Sequence, residues 1–270
     1  MSFATAQDGT KIFYRDIGDP KASSTVVMIQ GLGLSSQFWF DLPDRLVADP
    51  KASRRVIVLD NRGTGQSGRA RPPYRMQRLA DDVACVLEAA NARPATVVGI
   101  SMGGMISQHV AIRHPKLVRG LVLLATTAGL PHGRLASPRT LAKLFAIGFG
   151  RDRSGKMLAE LLIPPSEMHR AREIFAAWPD LMKKSPPAVA TFLGQLAAIV
   201  RHSTGFSLRK ITVPTVVMTG ELDTLVPPKN SHILARKISG ARLEVLRNVG
   251  HAIPSIDADA VRRALEMIQA

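Results

Sequence analysis

Short apolar runs alternate with helical patterns along most of the chain, and this order limits the fold more than any other feature. The runs occupy residues 25–30, 55–60, 95–100, 117–125, 215–220 and 242–246. Their continuous Val, Ile and Leu content is typical of strands buried on both faces of a parallel sheet. Helical patterns occupy residues 38–48, 76–90, 102–113, 230–238 and 258–268. The alternation predicts an α/β fold with right-handed crossovers.

The N-terminal residues have a different pattern. Two short strand-like segments, Phe3–Gln7 and Thr10–Arg15, flank Asp8-Gly9. This dipeptide favours a tight reversal, because glycine accepts a positive φ. The hairpin and the six apolar runs together predict an eight-stranded, mostly parallel sheet flanked by helices.

The alternation is interrupted between residues 131 and 208. Helical patterns at 140–147, 154–162, 167–178 and 187–200 are separated by proline pairs at 164–165 and 186–187. We therefore predict a core of residues 1–130 and 209–270, with a helical cap over 131–208 inserted after the sixth strand. Ten apolar side chains of this segment are interpreted mainly as its own core, although some could line a cleft: Leu141, Leu144, Phe145, Met157, Leu161, Ile174, Phe175, Trp178, Phe192 and Leu196.

A Gly-x-Ser-x-Gly motif lies at the end of the third apolar run. It comprises residues 99–103, with Ser101 at its centre. The motif alone is a weak signal, but here it lies between a predicted strand and a predicted helix. A serine on such a sharp turn exposes its hydroxyl above the sheet. The context predicts Ser101 as a nucleophile rather than as a helix N-cap.

A serine hydroxyl needs a base, and the base needs an orienting carboxylate. Of the seven histidines, only His251 lies in a loop after a late strand and before the last helix. Asp223 follows the strand at 215–220, and its rival is Glu221. We prefer Asp223 because of the Gly-x-x-Asp form of the loop. The predicted triad is Ser101, Asp223 and His251.

Two backbone N–H groups should stabilise the oxyanion that forms during acyl transfer. Met102 follows the nucleophile and would supply one. The loop after the first apolar run reads Gln30-Gly31-Leu32-Gly33, and its glycines let the backbone curl inward. Leu32 is the predicted second donor.

These motifs resemble those of the α/β-hydrolase superfamily, in its cap-bearing esterase, lactonase and perhydrolase branch. Residues 60–67 resemble the Asp-x-Arg-Gly-x-Gly-x-Ser turn of that branch, in which Asp60 would be structural, and Trp39 also fits. Gln30 stands where the family usually has histidine. The resemblance implies ester or related acyl-bond hydrolysis through an acyl-serine intermediate, without metal or cofactor, but it fixes no substrate. The apolar residues of the predicted cap lead us to expect a small, partly apolar substrate. C–C bond hydrolysis, lactone hydrolysis, perhydrolysis and a non-catalytic receptor remain alternatives.

Composition constrains location and partners. The net charge is +15 and the pI is near 10.8. Basic residues form no block of five, so we interpret them as a spread arginine-rich surface and expect no nucleic-acid partner. The single cysteine, Cys85, excludes an internal disulfide and is predicted to be buried. With no signal peptide and no run of about 18 apolar residues, a cytoplasmic protein without a membrane span is expected.

Overall fold

The described part of the chain centres on one eight-stranded sheet. The computed structural model describes residues 2–69, 73–92, 94–152, 155–169, 188–257 and 259–269, with positions 176, 178, 180 and 181. The strands are β1 Ser2–Thr5, β2 Lys11–Ile17, β3 Ser24–Ile29, β4 Arg54–Leu59, β5 Ala95–Ile100, β6 Val118–Leu124, β7 Thr215–Gly220 and β8 Arg242–Leu246. Their order is β1-β2-β4-β3-β5-β6-β7-β8. Only the pairs that include β2 are antiparallel, which confirms the predicted sheet.

The helices follow the strands in the predicted alternation. They are α1 Leu42–Val47, α2 Met76–Ala89, α3 Met102–Arg113, α4 Pro138–Gly148, α5 Lys156–Leu162, α6 Val189–Val200, α7 Lys229–Lys237, α8 Ile253–Ile256 and α9 Asp259–Gln269. The single helix predicted over 38–48 is wrong. A 3-10 turn at Ser36–Trp39 is followed by Phe40 at a φ of 52°, and α1 begins only at Leu42. Pro43 explains the break, because proline fits only the first turn of a helix.

The apolar core lies on both faces of the sheet. Within β3, Val27 and Ile29 face one cluster, while Val26 and Met28 face the other. The first cluster includes apolar residues of α2 and α3, and the second includes residues of α1 and α9. Because both faces are covered, the inner strands need no polar side, which explains their continuous apolar runs.

The segment between β6 and β7 contributes α4, α5 and α6. Its two ends meet where the N–H of Thr204 donates to the carbonyl of Ala128 over 2.9 Å. Part of the predicted helix at 167–178 lies outside the described residues, and a 3-10 turn at Pro165–Glu167 begins that stretch. The division into a core and a cap stays a prediction, because α5 shares a cluster of buried residues with the sheet.

Two further predictions from the sequence concern the burial of Cys85 and membrane-spanning helices. Cys85 is only half-buried, so the prediction of a buried thiol is wrong. Its position in α2 faces the end of β1, where its Sγ donates to the carbonyl of Thr5 over 3.0 Å. Within the described ranges, no helix is both long enough and apolar enough to cross a membrane.

Candidate active site

Ser101 lies on the tight turn that joins β5 to α3. Its backbone adopts a φ of 56° and a ψ of −120°, a conformation that L-residues rarely take. The turn is fixed from two sides, because the N–H of Ser101 donates to the carbonyl of Leu124 over 2.9 Å and its carbonyl accepts from Thr126 Oγ1 over 2.7 Å. A Cβ on Gly103 would collide with the carbonyl oxygen of Ile29. The close approach of α3 to β3 therefore requires glycine at this position of the motif.

His251 and Asp223 form a buried pair at the carboxyl ends of the strands. His251 Nδ1 lies 2.8 Å from Asp223 Oδ2, and the two side chains are 6% and 0% exposed. The other oxygen of Asp223 accepts the N–H groups of Leu225 and Val226, at 2.9 and 2.8 Å. Since an ionised carboxylate only accepts, Nδ1 of His251 donates and Nε2 keeps its lone pair. Glu221 is exposed.

Ser101 and His251 line the same cavity, which has a volume of about 400 Å³. Asp223 lies behind His251 and does not line it. Within the described part of the chain, no hydrogen bond shorter than 3.5 Å joins Ser101 Oγ to His251 Nε2. Such contacts are often long in an enzyme without its substrate and tighten when the substrate is bound.

The walls of the cavity are largely apolar, and 16 of its 34 described lining residues come from the segment at 131–208. Of the ten apolar side chains that the sequence singled out there, eight are described, and six line the cavity: Leu141, Leu144, Phe145, Trp178, Phe192 and Leu196. The expectation that some of the ten line a cleft therefore holds for these six, of which Trp178 and Phe192 are also buried. Met157 and Leu161 do not line the cavity, and Ile174 and Phe175 lie outside the described residues. Among the described lining residues, Arg134 is the only arginine or lysine.

The loop that holds Leu32 lies directly against Ser101. A Cβ added to Gly31 would be 3.3 Å from Ser101 Cβ, so a side chain there would crowd the serine. Gln30 fixes the start of the loop: its Oε1 accepts the N–H of Gly31 over 3.1 Å, and its carbonyl accepts from Asn61 over 3.0 Å. Among the described residues, no acceptor takes the N–H of Leu32.

Met102, the other predicted donor, is the first residue of α3. The first N–H groups of a helix have no partner within it. The two predicted donors therefore flank Ser101 on different elements, one in the loop after β3 and one at the start of α3.

Comparison with known proteins places this geometry in a family. The family model described as alpha/beta hydrolase fold matches residues 24–257. The chain belongs to this family.

A pimeloyl-[acyl-carrier protein] methyl ester esterase from Neisseria meningitidis is 31% identical over 86% of this chain and 88% of its own. A rhodomycin D methylesterase from Streptomyces is 29% identical, covering 92% and 91%. The crystal structure of a hydrolase from Pseudomonas aeruginosa superposes with a TM-score of 0.83, at 26% identity, over 100% and 98% of the two chains. The predicted fold and the prediction of an enzyme are confirmed.

In this hydrolase, the turn at residues 60–67 braces the loops around the site. Asp60 accepts the N–H of Ser36 over 2.6 Å with one carboxylate oxygen and the N–H of Gln66 over 2.8 Å with the other. Arg62 forms a bidentate ion pair with buried Asp82 and donates a further hydrogen bond to Asp8. The hydrogen bond from Arg62 holds the pKa of Asp8 well below its usual range. Asp60 does not line the cavity, which agrees with a structural role.

A buried histidine pair lies behind the cavity wall of the hydrolase. His202 Nδ1 is 3.3 Å from His109 Nε2, and His202 Nε2 is 3.0 Å from the carbonyl of Thr127, a residue that lines the cavity. Burial lowers the pKa of His109 to about 4 and the pKa of His202 to about 3. Both rings are therefore neutral near neutral pH.

Sequence reasoning missed Gln195, which contacts the loop of Leu32 from α6. Its Oε1 accepts the N–H of Gly33 over 2.8 Å. One signal in the sequence could have found it, since it is the only amide in the apolar run at 189–200. A buried amide in such a helix needs partners of its own.

Proposed function

We propose that this hydrolase cleaves carboxylic esters or related acyl bonds through an acyl-serine intermediate. Ser101 is the proposed nucleophile, His251 the general base and Asp223 the residue that orients His251. The N–H groups of Leu32 and Met102 are the proposed oxyanion donors. The names of the two methyl ester esterases among its relatives support this class of reaction.

The pair of His251 and Asp223 carries the proposal. With Nδ1 held by the carboxylate, Nε2 is free to accept the Ser101 proton as Oγ attacks the carbonyl carbon. The imidazolium that forms is stabilised by the buried carboxylate. It then returns the proton to the departing alcohol, and water attacks the acyl-enzyme by the same route in the second half of the reaction.

The cavity supports an apolar substrate of modest size. A volume of about 400 Å³ lies within the range of small-molecule sites. Its apolar walls favour an aliphatic or aryl group. We also propose that residues 131–208 act as a cap that sets specificity, which is supported by the 16 described residues they contribute to the walls.

Covalent labelling combined with turnover tests the proposal. A fluorophosphonate probe should add one label per chain to the parent protein and none to the Ser101→Ala variant. The parent should also hydrolyse members of a panel of methyl and aryl esters with graded acyl length. Labelling that persists in Ser101→Ala would refute the assignment of the nucleophile.

The same panel separates the other reactions of this fold. Lactones, thioesters, C–C substrates and peracid formation are measured beside the esters, and a preference for one of them would replace the ester proposal. A protein that binds one panel member tightly but turns over none would instead support a receptor.

A further inference from the structure

Gln195 is a fully buried amide that links α6 to two loops of the site. Its side chain is 0% exposed, and it lies in an apolar helix beside residues such as Leu193 and Leu196. Its Oε1 accepts the N–H of Gly33 over 2.8 Å, and its Nε2 donates to the carbonyl of Arg62 over 3.3 Å. One side chain therefore joins the loop after β3 to the turn after β4, across a sequence separation of 162 residues for the first bond.

The face of α6 around Gln195 is fitted closely to the same turn. The side chain of Thr191 would be only 2.7 Å from a Cβ added to Gly63, so glycine is needed at that position. Gly194 lies against the ring of Tyr74, which a Cβ there would approach to 3.2 Å. Packing at these two points fixes α6 against the turn, and its two hydrogen bonds hold the amide of Gln195 between the loops.

The N–H of Gly33 depends on this amide. Gly33 is buried, and its N–H finds its partner in Gln195 rather than within the loop. The bond that closes the loop itself, from the N–H of Leu34 to the carbonyl of Gly31, is long at 3.4 Å. Removing the acceptor would leave a buried N–H without a partner, which a flexible loop relieves by moving.

Leu32 lies between the two fixed points of this loop. Gly31 lies so near Ser101 that an added Cβ would be 3.3 Å from the serine Cβ, and Gly33 donates its N–H to Gln195 on the other side. We propose that Gln195 is a positioning residue: it sets the direction of the Leu32 N–H, and so the geometry of the oxyanion hole, from a helix of the 131–208 segment. This inference rests on the proposed function.

A hole that is misaligned loses stabilisation of the transition state more than affinity for the substrate, because the donors are aimed at the oxyanion. The test variant is Gln195→Met, which has similar volume and neither hydrogen bond. Its kcat should fall about 10- to 100-fold, since loss of a whole donor costs about 100- to 1,000-fold. Its KM should change less than about threefold.

A second readout separates positioning from general damage. The affinity for an aryl boronic acid, which forms a tetrahedral adduct with the serine, should fall in parallel with kcat/KM. The affinity for an unreactive substrate analogue that lacks the carbonyl group, and so forms no adduct, should be unchanged. Leu193→Met is the matched control, because Leu193 is 43% exposed on the same helix and touches neither loop bond. It should retain parent activity.

Gln195→Glu gives an independent check if Gln195→Met does not fold. Its carboxylate still accepts from Gly33 but cannot donate to the carbonyl of Arg62 until it is protonated. Its activity relative to the parent should therefore rise as the pH falls. A folded Gln195→Met or Gln195→Glu variant with parent kcat at every pH, or an equal loss in Leu193→Met, would overturn the inference. A parent protein that hydrolyses no substrate would overturn the proposed function instead.

Discussion

The buried pair of His109 and His202 makes the stability of this fold depend on pH below neutrality. His202 Nε2 lies 3.0 Å from a carbonyl oxygen, so that nitrogen carries the proton and Nδ1 is the acceptor. His109 Nε2 must then donate to it. Protonation of His202 at Nδ1 would point two N–H groups at each other, in addition to burying a charge. The neutral pair therefore fits the structure, whereas the charged pair does not.

The size of the effect follows from the two pKa values. Burial lowers them from 6.5 to about 4 for His109 and to about 3 for His202. Below pH 6.5 the unfolded chain binds protons that the folded chain cannot, so stability is lost as the pH falls from 6.5 towards 4. Each histidine costs ~1.4 kcal/mol per pH unit in this window, or ~2 kcal/mol at pH 5. The two together cost ~4 kcal/mol.

His202→Gln removes one titrating group and keeps the shape of the contacts. The amide nitrogen can donate to the carbonyl of Thr127, and the amide oxygen can accept from His109. Urea unfolding at pH 8, 7, 6 and 5 should show that the variant loses ~2 kcal/mol less than the parent between pH 8 and pH 5. His232→Gln, at an exposed position, is the matched control and should follow the parent. If His202→Gln lost as much stability as the parent over this range, the pair would not be the cause.

Three further changes test the site. Asp223→Asn should lower kcat about 10⁴-fold because it favours the wrong tautomer of the histidine. Glu221→Gln should keep the rate of steady-state hydrolysis within about threefold of the parent rate. The reverse order of the two effects would identify Glu221 as the acid. Gly103→Ala should lower the free energy of unfolding by more than ~2 kcal/mol, measured by urea titration, because its Cβ meets the backbone of Ile29; an unchanged midpoint would contradict that close approach. Arg134→Gln should raise KM for esters with a distal carboxylate and not for neutral ones; equal changes in both would show that the guanidinium does not bind substrate.

The sequence predicts the sheet and the approximate bounds of most strands, because burial on both faces leaves a continuous apolar signal. It also predicts the pair of His251 and Asp223, since each follows a strand and the carboxyl ends of parallel strands meet at one edge. The sequence does not predict the break in the helix expected at 38–48. The positive φ of Phe40 and the position of Pro43 in the first turn of α1 depend on the 3-10 turn that precedes them, which the helical pattern does not show.

The sequence also fails where a contact joins distant elements. The link from Gln195 to Gly33 spans two loops and a helix, and no local pattern contains it. Cavity walls are equally hidden, because a leucine that lines a cleft and one that fills a core have the same local signal. Only the tertiary positions of α4 and α5 distinguish Leu144, which lines the cavity, from Leu161, which does not.

The backbone conformation of Ser101 lowers the folding stability of this protein. Its positive φ suits glycine and costs about 1 to 3 kcal/mol for any other residue. Ser101→Gly would release that cost, so the variant should melt at a higher temperature than the parent. Selection for stability alone would replace this serine, so its presence is what the proposed role of its hydroxyl as the nucleophile predicts.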